Sequence, residues 1–177
     1  MKKLLVVVGM SVMMLISGSE AKAQSAPYTW GIGGTVGSIN ALDFKFFLSP
    51  KLALQVDLGY KWWWSSTLEV NPNLLYQGNI KTWGWGQLDW FVGGGLSVGY
   101  SFWGAYGLYS SSYYGTGYGR GKVGINADGG VELALSKVPV AFSFDFRPGY
   151  GMLFRKGYTW HFFDWGTNLS VRYCFGK

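Results

Sequence analysis

One cysteine and one histidine are all that 177 residues supply. The lone Cys174 excludes an internal disulfide, and the lone His161 excludes a histidine-rich metal site. No carboxylates fall into a recognisable metal-ligand spacing, so neither metal nor cofactor is expected. Charge is scarce too. Asp, Glu, Lys and Arg make up 14% of the chain, against about 25% in an ordinary soluble domain. The formal charge of +6 is scattered. It forms no basic run and no basic helix, which argues against a nucleic-acid partner. Beyond the first two dozen residues no long apolar run remains. A membrane-spanning helix, which needs about 20 apolar residues, is therefore not expected in the remainder.

Hydrophobic residues reach 49%, aromatics 19%, and there are 28 Gly and 10 Trp. A chain so poor in charge and so rich in Trp is ill suited to solution. A lipid-facing surface accounts for both excesses. Met1–Ala23 reads as a cleaved secretory signal: Lys2 and Lys3 carry charge, Leu4–Ile16 is apolar, and Ala21-Lys22-Ala23 fits the cleavage pattern. No Cys follows the apolar stretch, so a lipid-anchored lipoprotein is not expected. Residues 24–177 then form a single domain.

That domain alternates. From Gln87 to Phe102, Leu88, Trp90, Val92, Leu96, Val98, Tyr100 and Phe102 take one phase, with Gly94 among them. Asp89, Gly93, Gly95, Ser97, Gly99 and Ser101 take the other, with Phe91 among them. Successive side chains of a strand point to opposite faces. Strands are expected at Tyr28–Ile39, Ala41–Leu48, Leu52–Trp62, Thr67–Gln77, Gln87–Trp103, Lys122–Leu135, Val140–Pro148 and Trp165–Phe175. Pro72 demands an irregular position in the fourth. Ser49-Pro50-Lys51 and Ser136–Pro139 are tight turns, whereas Gly104–Gly121 and Gly149–Asp164 are long connections. Gly78–Gly86 looks long as well, and Ile39-Asn40 short. Membrane strands need about 9–11 residues, and lipid forbids an open sheet edge. The expected fold is all-β: an eight-stranded antiparallel up-and-down transmembrane β-barrel.

Alternation alone leaves the inside face undecided, since a soluble barrel buries its apolar phase. Here that phase carries more aromatic volume than an eight-stranded interior holds. The polar phase is small enough to fill one. Tyr60, Trp62, Trp63 and Trp64, and again Trp83 and Trp85, gather near strand ends like a membrane-interface belt. The polar phase therefore faces in. It brings Asp43, Lys45, Asp57, Lys61, Glu69, Asp89, Asp128, Glu132, Asp145, Arg147 and Arg172 into the lumen. Charge there is costly unless paired. A salt-bridge network that fills the barrel and fixes register is the first reading, with a small selective pore as its alternative.

The connection after the fifth strand is rich in Tyr, Ser and Gly, a mixture that binding loops use. Its candidate contact residues are Tyr106, Tyr109, Tyr113, Tyr114, Tyr118 and Arg120. An extracellular glycan, lipopolysaccharide or surface protein is the partner such a loop suits. His161 with Asp164 and one of Ser110, Ser111 or Ser112 is the second alternative, a lipid-modifying enzyme. No nucleophile motif accompanies them, so the expectation is that the chain is not an enzyme.

Signal, alternating strands, short turns and an aromatic final strand together resemble the OmpA/OmpX-type small outer-membrane barrels of the outer membrane protein beta-barrel domain family. Gly124–Leu133, Val138–Pro148 and Leu169–Phe175 carry the resemblance best. It implies the bacterial outer membrane as location, with outer-membrane lipids and the barrel-assembly machinery as partners. Such barrels usually end on an aromatic residue, whereas Gly176 and Lys177 follow Phe175 here. It says little about activity, because fold does not dictate function.

Overall fold

A computed structural model describes residues 26–61, 66–101, 120–155 and 158–176. The expected signal and the core of the Tyr/Ser/Gly connection lie outside these residues. Ten strands are described: β1 (Trp30–Gly37), β2 (Asn40–Ser49), β3 (Leu52–Lys61), β4 (Thr67–Trp83), β5 (Gly86–Ser101), β6 (Arg120–Leu135), β7 (Val140–Phe146), β8 (Gly149–Arg155), β9 (Tyr158–Asp164) and β10 (Thr167–Phe175). No described helix is long and apolar enough to cross a membrane.

The strands form a closed eight-stranded antiparallel barrel with two extra strands. Its ring runs β5-β4-β3-β2-β1-β10-β7-β6, and β5 pairs with β6 to close it. β8 and β9 are the additions. β6 is long enough to pair with β7 along Gly129–Ala134 and with β8 along Gly121–Asn126. β8 thus prolongs β7 beyond Arg147-Pro148, and β9 runs into β10 through Trp165-Gly166. Pro148 has no N–H to give a ladder. The break is bonded through instead: Ala127 N–H donates to the Pro148 carbonyl, and Arg147 N–H to that of Gly166.

Two connections differ from the sequence reading. Gly149–Asp164 is no loop but the β8–β9 hairpin. Gly151 and Leu153 in one phase face Met152 and Phe154 in the other, so no polar phase betrays the strand. Gly78–Gly86 is not a long connection either. β4 runs on to Trp83 and leaves only Gly84 and Trp85 as a turn. A bulge between Asn79 and Lys81 shifts the register there and breaks the period-two pattern. Pro72 lies where the β4–β5 pairing skips from Val70 to Asn73, as its missing donor requires.

A barrel's strands must stagger to close. Hydrogen-bonded partners lead from Thr35 through Ala41, Gly59, Glu69, Gly99, Lys122 and Leu153 to Trp160. Thr35 itself pairs with Ser170. The circuit therefore closes with a stagger of about ten residues. The β8–β9 hairpin stands high on one side, and the β1–β2 hairpin stays low beside it. Gly37, at φ 141°, makes that low turn, and a Cβ there would lie 2.2 Å from the Thr167 carbonyl oxygen.

Burial is inverted relative to a soluble domain, where apolar groups go inside. Phe144 is 51% exposed and Ile125 63%, while Asp43 and Glu132 are 0% exposed and Arg172 1%. Every strand of the ring shows an aliphatic or aromatic outer face. The end that carries Tyr28, Phe175 and the short turns is the turn end. Tyr28, Phe47, Ala53, Ala134, Ala141 and Cys174 form an apolar floor there.

Candidate functional site

The interior above that floor is a stack of ionic layers. Nearest the floor, Arg172 on β10 grips Asp43 on β2 with two parallel bonds, Nε to Oδ1 at 2.5 Å and Nη2 to Oδ2 at 2.7 Å. Such bidentate pairs are among the strong hydrogen bonds. Its Nη1 donates to Glu132 at 2.7 Å and to Ser143 at 3.0 Å. Glu132 also accepts from Lys45 at 2.9 Å, Tyr28 at 3.0 Å and Gln77 at 3.1 Å. Asp89 has no cation within this layer. It accepts from Gln77, Asn79 and Gln87 at 2.9–3.0 Å. The chain supplies these groups from β2, β4, β5, β6, β7 and β10, so the layer ties nearly the whole ring together.

Arg147, at the β7–β8 break, organises the middle layer. It donates to Asp57 at 2.6 Å. Its Nη2 lies 2.9 Å from Asp128 and 3.8 Å from Asp145. The Asp128 contact is one of charge alone, since neither oxygen of Asp128 has an aligned hydrogen bond. Asn168 satisfies Asp145 at 2.7 Å, and Gln55 bridges Asp43 and Asp57 at 3.0 and 3.4 Å.

The layer nearest the other, loop end is looser. Lys61 lies 3.2 Å from Glu69 and pairs with Asp164. Lys122 pairs with Glu69 and lies 3.7 Å from Asp164. This four-membered cluster lines a chamber with Asn71, Asn126 and Arg147. Its free volume is about 20 Å³, room for roughly one water. Asn71 Oδ1 and Asn126 Oδ1 lack partners among the described residues.

Of the eleven charged residues named for the lumen, ten lie inside the barrel at 8% exposure or less, and the eleventh, Lys61, is half-buried near its mouth with a side chain 19% exposed. Lys122 and Asp164 join them although the sequence reading did not place either in the lumen. Lys122 shares the even phase of Asp128 and Glu132, so parity alone marks it. Asp164 was hidden in the supposed loop. Of the candidate loop residues only Arg120 is described. Its guanidinium lies 4.6 Å from the Trp160 ring centroid. Tyr106, Tyr109, Tyr113, Tyr114 and Tyr118 lie outside the described residues, as do Ser110, Ser111 and Ser112.

No family model, no curated protein and no solved structure matches this chain. Chemistry must therefore be argued from the side chains. His161 and Asp164 are three positions apart on β9 and so face opposite ways. His161 is exposed on the outer face, its Nδ1 2.8 Å from the Tyr150 hydroxyl, while Asp164 turns inward to Lys61. They form no acid–base pair. Among the described residues no group of His, Cys, Asp and Glu is arranged to hold a metal. Cys174 is buried in the floor.

Proposed function

We propose that this chain is an integral bacterial outer-membrane β-barrel of the OmpA/OmpX type. Met1–Ala23 exports it as a cleaved signal, and the barrel-assembly machinery inserts it. Its role is structural or surface-binding, exercised through its loop end. One observation carries this reading: charges paired inside, apolar side chains outside. That pattern suits lipid as the outer solvent. Backbone closure supports it too, because a spanning sheet must have no unpaired edge in hydrocarbon.

The filled interior favours an electrically silent barrel over a selective pore. Eight strands leave room only for side chains, and the ionic layers occupy it. Function then belongs to the exposed connections. The Tyr/Ser/Gly segment 104–121 is the binding element, with lipopolysaccharide, a glycan or a surface protein as ligand. Planar-bilayer recording of refolded Gln24–Lys177 tests the silent-barrel reading. Folding is checked first by altered gel migration of the unboiled protein. Silence from a folded barrel is the expected result. Steady single-channel steps overturn the filled-lumen reading and favour the pore.

A further inference from the structure

The stagger leaves a notch in the barrel wall. On one side stands β9, whose far edge has no partner among the described strands. On the other stand Tyr60 and Lys61 at the end of β3. The low β1–β2 hairpin, Ser38-Ile39, forms the sill, held by Ser38 N–H donating to the Thr167 carbonyl at 3.0 Å. Ser38 and Ile39 line the same chamber as Lys61, Glu69, Lys122 and Asp164. The notch therefore opens sideways onto the loop-end ionic cluster. The Lys61–Asp164 pair, joining β3 to β9, bridges it.

Three inward residues of β9 each meet a cation. Trp160 holds Arg120 at 4.6 Å and Phe162 holds Lys122 at 5.1 Å, ring centroid to cation. Asp164 holds Lys61. Among the described residues the mouth thus sets Arg120, Lys122 and Lys61 against Glu69 and Asp164. Glu69 is fully buried, whereas the Asp164 side chain is 26% exposed and sits on the notch-side strand. Asp164 is the one anion of the cluster that an incoming anion can replace without burying a new charge. Outside, the notch is flanked by Phe163 at 69% and Trp165 at 66% exposure, the most exposed large apolar side chains described. A polar cluster behind a gap and an apolar surface around it match a molecule with an acidic head and a hydrocarbon tail.

We propose that the notch is a lateral binding site for a phosphate-headed amphiphile of the surrounding leaflet. The phosphate takes the place of the Asp164 carboxylate between Lys61 and Lys122. The tail stays outside against Phe163 and Trp165. The proposal rests on the outer-membrane reading given above.

The test uses the full chain, exported into membranes and extracted in a neutral maltoside detergent. Native mass spectrometry counts bound dodecyl phosphate and, separately, inorganic phosphate. One dodecyl phosphate per barrel is expected, with inorganic phosphate weaker by about tenfold or more, since it has no tail to bury. The double variant Lys61→Gln, Lys122→Gln loses about tenfold in affinity, having lost its charge-assisted bonds. Asp164→Asn keeps both lysines and binds more tightly, which a purely structural ion pair does not produce. Equal binding of inorganic phosphate leaves a plain anion site and overturns the amphiphile assignment. Absence of saturable binding, or unchanged affinity in both variants, overturns the site. Failure of the outer-membrane reading shows separately, as a protein absent from the membrane fraction or lacking a heat-shifted gel band.

Discussion

The two ends of the interior solve the same problem differently. At the turn end Arg172 spends its donors on Asp43, Glu132 and Ser143, at 0–2% exposure for all four residues. At the loop end Lys61 and Asp164 meet with side chains 19% and 26% exposed. A guanidinium presents a rigid fork, an ammonium a hydrated point charge on a flexible stem. The fork organises the dry layer, where the Lys45 ammonium is enclosed with it, whereas at the loop end the Lys61 ammonium stays in touch with water. The difference teaches that the barrel is locked at one end and adjustable at the other.

Arg172→Met is the sharpest way to break that contrast. It strips the cation from Asp43 and leaves Glu132 with Lys45 as its one remaining cation among the described residues. Removing one partner of a buried pair costs about 3–5 kcal/mol, so the folded, heat-modifiable band should weaken or vanish and the urea midpoint fall steeply. An unchanged midpoint would mean that the ionic layer does not fix the fold. Next comes the outer face. Phe144→Lys places a charge among outward aromatics of β7, and in a bilayer it should cost about 2–4 kcal/mol near the midplane. Equilibrium unfolding from lipid vesicles checks this, and no loss there would argue that Phe144 meets water. The smallest effect belongs to the loop end. Asp164→Asn should cost under about 1 kcal/mol, as part-exposed pairs do, read as a slight midpoint shift. A loss as large as that of Arg172→Met would erase the distinction between the ends.

Alternation made most of this barrel legible, for a physical reason. A wall with a packed ionic interior on one side and an apolar outer face on the other forces each residue to choose a side, so parity carries both strand identity and burial. Asp43, Asp57, Glu132 and Arg172 are found by parity alone. Legibility failed where that rule loosens. At Ile80 an extra residue enters the strand between Asn79 and Lys81, and the phase slips. Along Gly149–Phe154 both phases are glycine, apolar or aromatic, and on β9 the inward Trp160 and Phe162 are rings on which cations of the neighbouring β6 lie. The chamber was invisible for a further reason. It is a product of stagger, which no single strand encodes. Only the full circuit from Thr35 to Trp160 shows that β9 rises above the β1–β2 hairpin.

The seam between β1 and β10 joins the first strand made to the last. Arg172 travels on that last strand, while its partners Asp43 and Glu132 emerge long before it on β2 and β6. Until β10 is made, those carboxylates lack their guanidinium, and among the described residues only Lys45 and the neutral donors Tyr28, Thr35, Gln55 and Gln77 are left to them. Contacts so distant along the chain form slowly. The same contacts that lock the wall are therefore also a product of its closure: Arg172 reaches Asp43 and Glu132 only once β10 lies between β1 and β7.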